Sequence, residues 1–319
     1  MIHYFTSKDG RVTIDRLQRF LPESAARRIQ VLPYESLGTR GYLPYGAFIF
    51  ASVEVQSPPF RDVLVRVAEK IRETCPEVPL LNDPAHVMAR YQLNRVLFER
   101  GINDYDVYRL DEVRAPTRYP VFLRREDDHC GNVTGLLNNE DEYRRAVAAV
   151  GVARSDTLAV EFVDTRDETG AYRKYGAYIL DGVIEPAHLF SSEEWMVKGA
   201  QHRDESDLKL EQEFLRARPH LDELGEIARL AGIQWGRVDY ALLDGRIQIF
   251  EINTNPVVIS EKVAERVTPE LMQTRMALFA RTIESLDDRV GAGARIPIAQ
   301  VQGCRPPGWR RIWNRAFSR

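Results

Sequence analysis

Residues 236–256, GRVDYALLDGRIQIFEINTNP, place ionisable side chains among strand-forming residues on both sides of an Asp-Gly dipeptide. Asp-Gly between two such runs is typical of a β-hairpin. Glu251 and Asn253 are two positions apart, so their side chains point to the same face of one strand. A two-residue loop pairs position 239 with 250 and sends Asp239 to the opposite face, whereas a three-residue loop pairs 239 with 249 and brings all three side chains together. We predict the loop of odd length.

These three side chains favour a magnesium site. Two carboxylates and an amide oxygen in a covered site repel one another unless a cation is present. Magnesium prefers hard oxygen ligands, and proteins usually hold it through one or two carboxylates together with substrate phosphates. The alternative is a structural ion pair, in which Glu251 binds an arginine such as Arg237 while Asp239 ends at the sheet edge. These residues alone leave both hypotheses open.

The composition is that of a globular protein, because 44% of the 319 residues are hydrophobic and 29% are charged. This length allows two or three subdomains around a continuous core. The formal net charge of −3 gives no overall attraction to nucleic acid or to an anionic membrane. The first residues lack a signal-peptide pattern, and no stretch has the roughly 18 apolar residues that span a bilayer, so we expect a cytoplasmic protein without membrane partners. Cys75, Cys130 and Cys304 form no CxxC pair, and we expect reduced thiols.

The pattern of the other elements predicts an α/β protein with α+β parts. Residues 1–85 alternate short apolar runs with helix-like stretches, which is typical of a small α/β unit with a mainly parallel sheet. Residues 86–165 combine helix patterns with several short strand patterns. Residues 166–290 contain two Asp-Gly hairpin patterns with helix patterns between and after them. The tail at 291–319 is basic, with five arginines and no acid from residue 303 onward.

The order of motifs from about residue 80 to residue 260 resembles the ATP-grasp superfamily, in particular its glutathione synthetase-like and ribosomal-protein glutamate ligase-like branch. In that family the magnesium ligands lie on a strand that ends in aspartate and on a strand that reads E-hydrophobic-N-polar-N-P. FEINTNP resembles the second strand, so the resemblance implies that Asp239, Glu251 and Asn253 bind the metal. It also implies the ATP-grasp fold, in which two α+β subdomains clasp ATP. The implied parts are an N-terminal α/β domain (1–85), a central lid subdomain (86–165) and a C-terminal subdomain with the metal and acceptor sites (166–290).

The implied phosphate-binding positions carry arginine where the family usually has lysine. In ARYQLNRVLFERG, Arg90 stands eleven positions before a glycine, as the family's basic residue does, and Arg95 competes for that role. In YPVFLRREDDHCGNVTG, Arg124 stands at the lysine position and residues 126–134 at the flexible loop. Arginine supplies charge and donors to a phosphate, although its planar fork differs from an ammonium group. The loop is acidic and poor in glycine.

The segment TLAVEFVD resembles the hinge strand of the family. This likeness implies that backbone groups near Phe162 and Val163 pair with adenine. It also implies that Glu161 lies near the adenine amine and Asp164 near the ribose. An apolar slot beside one hydrogen-bonding strand suits a purine.

Basic residues after the hinge are candidates for the phosphates and for the acceptor. YRKYGAYILDG resembles the family's segment for the β- and γ-phosphates, where Lys174 and Arg173 are candidates. Adjacent strand residues point to opposite faces, so only one of them reaches the triphosphate, and we favour Lys174. EPAHLFSSEEWMVK supplies His188 and Lys198 to the implied acceptor region, each with an ordinary structural or solvated role as its alternative. Arg237 shares a strand face with Asp239 and is a candidate to hold a carboxylate or a tetrahedral intermediate.

The resemblance implies an ADP-forming ligase that activates a small-molecule or peptide carboxylate as an acylphosphate and joins it to a nucleophile, expected to be an amine. ATP and Mg²⁺ are the implied cofactors, with Mn²⁺ as an alternative metal, and a homodimer is a candidate assembly. A second hypothesis is a nucleotide-binding module without ligase turnover, because arginine replaces lysine twice and the lid loop is acidic. A third treats the tail with Trp309 and Trp313 as a nucleic-acid contact, against the simpler reading that these tryptophans pack onto the body. We do not expect nucleic acid as a partner.

Overall fold

Four β-sheets organise the protein, whose computed structural model describes residues 1–127, 131–150, 156–197, 203–259 and 268–298. The first sheet has the strand order β2-β1-β4-β5 and is entirely parallel. Its strands are β1 (Ile2–Thr6), β2 (Ile29–Pro33), β4 (Ala47–Phe50) and β5 (Leu80–Leu81), and β3 (Tyr42–Leu43) lies outside it. Every residue of β1 and β4 is buried, as expected for parallel strands that are covered on both faces. The predicted parallel α/β unit is confirmed.

Helices and short 3-10 turns cover this sheet. They are α1 (Arg11–Phe20), α2 (Glu23–Ala26), the 3-10 turns Tyr34–Thr39 and Val53–Val55, and α3 (Pro58–Thr74). The apolar residues of α3 recur at helical spacing and are buried, including Val63, Val67 and Ile71. Aromatic rings fill the space beneath them, with Phe5 stacked on Phe50 at a centroid distance of 4.9 Å.

A three-stranded antiparallel sheet forms the middle of the chain. Its order is β6-β8-β7, from β6 (Val107–Arg109), β7 (Val121–Arg125) and β8 (Thr157–Glu161). Two helices accompany it, α4 (Arg90–Glu99) before the sheet and α5 (Glu140–Val150) between its last two strands. Tyr143 of α5 packs with Val121 and Leu123 on one side of the sheet, so this part has a small core of its own.

A four-stranded antiparallel sheet of order β10-β9-β11-β12 carries most of the predicted site residues. Its strands are β9 (Tyr172–Leu180), β10 (Val183–Ser192), β11 (Trp235–Leu243) and β12 (Arg246–Asn253). Three helices accompany it, namely α6 (Glu205–Ala217), α7 (Leu221–Leu230) and α8 (Pro269–Asp288). The predicted fold class, α/β with α+β parts, is confirmed by this mixture of parallel and antiparallel sheets.

The end of the described chain returns to the N-terminal region. β13 (Ile296–Pro297) pairs with β3, and Ile296 and Ile298 are buried. The described part of the predicted basic tail therefore packs onto the body of the protein, and residues 299–319 lie outside the described ranges. Within those ranges no helix combines the length and the apolar character needed to cross a bilayer.

Asn255, just beyond β12, joins the large antiparallel sheet to the parallel one. Its side-chain oxygen accepts hydrogen bonds from Tyr4 Oη at 2.9 Å and Thr13 Oγ1 at 2.5 Å. Its amide nitrogen donates to the Gly10 carbonyl oxygen at 3.0 Å. One amide thus holds the exit of β12 against β1 and the start of α1.

Asn255→Ala is expected to lower the free energy of unfolding by about 2 kcal/mol, because the substitution leaves several polar groups without their partner. Urea denaturation followed by circular dichroism measures the loss. Gln273→Ala, at an exposed position on α8, serves as the control. Equal stability of the two variants would contradict the joining role of Asn255.

Candidate active site

The β11–β12 hairpin closes with a two-residue loop, so the predicted loop of odd length is wrong. Leu243 pairs directly with Arg246, and Asp244 and Gly245 have φ values of 50° and 76°. Two consecutive left-handed residues form a type I′ turn, for which Asp-Gly is a preferred sequence. The turn chemistry of the dipeptide therefore sets the loop length.

A β-bulge at Phe250 brings the two carboxylates together instead. Tyr240 pairs with Ile249, but Asp239 pairs with Glu251, so Phe250 is the extra residue on β12. A bulge shifts the register by one residue and thereby changes which side chains share a face. Asp239 and Glu251 consequently lie directly opposite each other on one face of the hairpin.

The same face continues across the other strands of the sheet. One row runs His188, Gly176, Asp239 and Glu251, each residue paired with the next on the neighbouring strand. A neighbouring row pairs Arg237 with Asn253. Side chains of directly paired residues project from the same face. The register therefore places all three predicted metal ligands on one face of the sheet.

Asp239 is buried and held by cationic groups. Arg237 donates from Nε to Asp239 Oδ1 at 2.7 Å and from its terminal nitrogen to Oδ2 at 3.1 Å. Lys174 Nζ lies 3.7 Å from Oδ2. Burial alone would raise the pKa of Asp239, but the charges of Arg237 and Lys174 outweigh it and hold the pKa well below its usual value. Asp239 is therefore ionised at neutral pH.

Glu251 is held by both arginines that the sequence predicted for phosphate binding. Arg90 donates directly to Glu251 Oε2, and Arg124 lies 3.7 Å from the same oxygen. Arg90 also donates to the Glu126 carbonyl oxygen at 2.8 Å. Burial, reinforced by neighbouring Arg124, lowers the pKa of Arg90 to about 9. The competitor Arg95 instead pairs with Glu99 and Asp106.

The ligand atoms suit magnesium in the presence of phosphate. Asp239 and Glu251 supply carboxylate oxygens, and Asn253 supplies an amide oxygen that accepts from the Asn255 backbone N–H at 2.8 Å. Among the described residues, no group of three or more His, Cys, Asp or Glu side chains converges closely enough to hold a metal ion. Two carboxylates with ligands completed by a substrate are the usual arrangement for Mg²⁺.

A cavity of about 380 Å³ adjoins these residues. Its apolar wall contains Trp195, whose ring lies 5.0 Å from the Phe122 ring and 5.7 Å from the Phe162 ring, by centroids. Its charged wall contains Arg124, Lys174, Asp239 and Glu251. An apolar slot with charged groups at hand is what a nucleotide requires.

The hinge residues line the same cavity, but two of their side chains are occupied. Glu161, Phe162 and Val163 all contribute to the wall. The Glu161 carboxylate is buried and accepts hydrogen bonds from Tyr108 Oη at 2.9 Å, the Asp106 backbone N–H and Arg118. Asp164 is ion-paired with Arg166. Contacts of this strand with a purine would therefore rest mainly on backbone groups.

The adjacent residues Arg173 and Lys174 point to opposite faces of β9, as strand alternation requires. Arg173 donates to Asp207 Oδ1 at 2.8 Å and to Ser191 Oγ at 2.7 Å, and it also pairs with Asp167. It thereby fastens the N-terminal end of α6 to β9. Lys174 lies on the face of the sheet that carries Asp239 and pairs with that carboxylate.

His188 is almost fully buried beside Asp239, with Nε2 4.0 Å from Oδ1. Burial lowers the pKa of His188 well below its usual value, and Arg237 lowers it further, so the imidazole is neutral at physiological pH. Lys198, the third predicted catalytic residue, lies outside the described residues.

Sequence reasoning missed two contributors to this region, Trp195 and Glu54. Trp195 lines the cavity with Phe122 and Phe162. Glu54 accepts from the Thr254 backbone N–H at 3.0 Å and so supports the loop after β12 from the N-terminal unit. The only available signal for Glu54 was an acidic residue between two valines that follow a buried strand.

Comparison with solved structures identifies the fold. A scan against protein-family models found no match, and neither did a search of the curated proteins. The D-alanine–D-alanine ligase from Bacillus anthracis complexed with ATP aligns with 89% of this chain and 98% of its own, at 12% identity and a TM-score of 0.50. The Coxiella burnetii D-alanine–D-alanine ligase aligns with 90% of this chain and 97% of its own, at 13% identity and a TM-score of 0.49. At such identity the likeness establishes the fold alone, and the chain has the ATP-grasp fold that its motif order predicted.

Proposed function

We propose that this protein is an ATP-dependent ligase that joins a carboxylate to an amine with release of ADP. ATP would bind in the cavity between the three-stranded sheet and the four-stranded antiparallel sheet. The facing carboxylates on the bulged hairpin carry the proposal. Asp239 and Glu251 lie opposite each other, and each has two cationic side chains within 4.0 Å. A magnesium-bound triphosphate would give new partners to both sets of charges.

Different residues in and beside the cavity would bind the adenine and the phosphates. Phe122, Phe162 and Trp195 would enclose the adenine, and backbone groups at Phe162 and Val163 would pair with its edge. Arg124 and Lys174 in the cavity wall, and Arg90 beside Glu251, would turn from the carboxylates to the phosphates, as charge-assisted donors. The proposed metal ligands are Asp239, Glu251 and Asn253.

Charge neutralisation and positioning are the main catalytic contributions of the protein. Mg²⁺, or Mn²⁺ in its place, would neutralise charge on the phosphates and orient the terminal phosphoryl group. The substrate carboxylate oxygen attacks the γ-phosphorus, the bond to the bridging oxygen breaks, and its electron pair leaves with ADP. The amine nitrogen then attacks the carbonyl carbon of the acylphosphate, loses a proton and displaces phosphate. Arg237 would hold the substrate oxygens through its guanidinium group.

A second candidate is a nucleotide-binding module without turnover. The observation that favours it is that arginines already hold both carboxylates in ion pairs. Two measurements distinguish the ligase from the binding module. The first is isothermal titration with Mg-ATP, and the second is an ADP-release assay against pooled carboxylates and amines. Turnover with any pair supports the ligase, whereas binding without turnover across the pools supports the module.

Arg124→Ala is expected to weaken Mg-ATP binding by roughly 10- to 100-fold, because it removes a charged donor from the cavity wall. Isothermal titration measures the change. Arg125→Ala is the matched control, since Arg125 is the next residue on β7 and pairs with Asp127 and Asp156 instead of Glu251. A variant of Arg124 that binds ATP normally and alters only acceptor use would contradict this assignment.

The basic tail from residue 303 lies outside the described residues, so its role rests on the sequence. Removing residues 303–319 tests the nucleic-acid hypothesis. We expect ATP turnover to survive the truncation and RNA binding to be absent before and after it. RNA binding that the truncation removes would support the alternative.

A further inference from the structure

His188 occupies the same row of the sheet as two proposed metal ligands. The row begins at His188 on β10, crosses Gly176 on β9, and reaches Asp239 on β11 and Glu251 on β12. Directly paired residues project from one face. The histidine is therefore presented to the same side of the sheet as the proposed phosphate and metal site.

The glycine at position 176 makes room for the imidazole. A Cβ atom there would lie 2.3 Å from His188 Cε1 and 2.7 Å from Nε2, which is closer than non-bonded atoms approach. The ring lies over the backbone of Gly176 and stacks on Phe190, with 4.1 Å between centroids and 5° between planes. Nε2 faces Asp239 across 4.0 Å. Packing therefore fixes which ring atom approaches the carboxylate.

Nε2 of His188 is a buried polar atom in need of a partner. The residue is 7% exposed, and within the part of the chain that the structure describes this nitrogen makes no hydrogen bond. Native proteins pair nearly all buried polar atoms, because an unpaired one is costly. An apolar residue such as leucine would fill the space beside Phe190 without that cost. The position of a histidine here indicates a ligand that the nitrogen would contact.

The surroundings indicate that this ligand is an anion. Lys174 lies 3.7 Å from Asp239 Oδ2, and Arg237 holds the same carboxylate. Lys174 and Asp239 also line the cavity, which therefore adjoins the carboxylate that His188 Nε2 faces. Positively charged side chains around a cavity favour an anionic group.

We propose that His188 Nε2 donates a hydrogen bond to the terminal phosphoryl group of ATP, so that His188 acts with Lys174 to recognise the group that is transferred. This role rests on the ligase function proposed above. It makes His188 a determinant of triphosphate against diphosphate binding, distinct from Arg124, which lies on β7 of the three-stranded sheet and contacts Glu251.

Isothermal titration with Mg-AMP-PNP and Mg-ADP tests the role on two matched variants. His188→Leu keeps an apolar side chain but removes the donor, whereas His188→Gln keeps an N–H donor. We expect the Leu variant to bind AMP-PNP roughly 10- to 100-fold more weakly than wild type and to bind ADP within about twofold. The Gln variant should lose less than about fivefold for AMP-PNP. The selective loss with the terminal phosphate is the readout that a merely structural histidine would not produce.

Gly176→Ala reaches the same result by another route, because its Cβ would displace the imidazole without removing it. We expect it to reproduce the AMP-PNP loss of the Leu variant, and it stands in for that variant if leucine prevents folding. Equal losses for ADP and AMP-PNP, or no loss for either, would overturn the role of His188 and leave the proposed function intact. A wild-type protein that binds neither nucleotide would overturn both.

Discussion

Glu251→Gln is expected to reduce ADP release by roughly 100-fold or more while leaving the fold intact. Glutamine has nearly the same shape, but it supplies no negative charge to a metal and only one oxygen. Arg90 and Arg124 would then face a neutral amide in place of the carboxylate that they hold. A coupled assay of ADP release measures the effect, and thermal denaturation checks the fold.

Glu226→Gln is the matched control for this experiment. Glu226 is exposed on α7, and the same change of charge there should leave ADP release near the wild-type value. Near-normal turnover of the Glu251 variant would contradict the metal site itself. Loss of turnover in both variants would show instead that net charge, and not the ligand at position 251, governs the reaction.

Asp239→Asn is expected to lower the free energy of unfolding by about 2 to 3 kcal/mol at neutral pH. The substitution leaves the Arg237 guanidinium without its carboxylate in a mostly buried site, and breaking such pairs is costly. The 18% exposure of the Arg237 side chain places the expected cost at the lower end for buried pairs. Urea denaturation measures it.

The double variant Arg237→Met/Asp239→Asn should recover most of this stability, because it removes both charges together. The pH dependence gives a second check. The pKa of Asp239 is lowered in the folded protein, so the pair stabilises above the ordinary carboxyl pKa, and this contribution is lost as the pH falls towards the lowered value. The difference in the free energy of unfolding between wild type and the Asn variant should therefore become smaller in acid. A gap that is absent at neutral pH would show that the ion pair contributes nothing to stability.

The parts of the site that depend on local chemistry could be predicted from the sequence. The Asp-Gly dipeptide between alternating strands gave the hairpin, and FEINTNP gave the three ligand candidates. The alternation of β9 gives Lys174 and Arg173 different partners, Asp239 for Lys174 and Asp207 for Arg173. In each case the information lies within a few residues of the position concerned.

The bulge at Phe250 could not be predicted, because an inserted residue in mid-strand carries no compositional signature and phenylalanine fits a regular strand equally well. The arginine that binds Glu251 could not be predicted either. Arg90 lies 161 positions away along the chain, and Arg237, the partner considered from the sequence, binds Asp239 instead. The placement of Trp195 against Phe122 likewise depends on how the three-stranded sheet and the four-stranded antiparallel sheet pack together. Such contacts arise from tertiary packing and have no local pattern.

The paired carboxylates also bear on the order in which ligands arrive. A bare divalent cation would have to displace Arg90 and Arg124 from Glu251, and Arg237 and Lys174 from Asp239, without offering those groups anything in return. A triphosphate does offer them new partners, and the carboxylates then become available to the metal. Nucleotide and metal should therefore be linked thermodynamically, each raising the affinity of the protein for the other by the same factor.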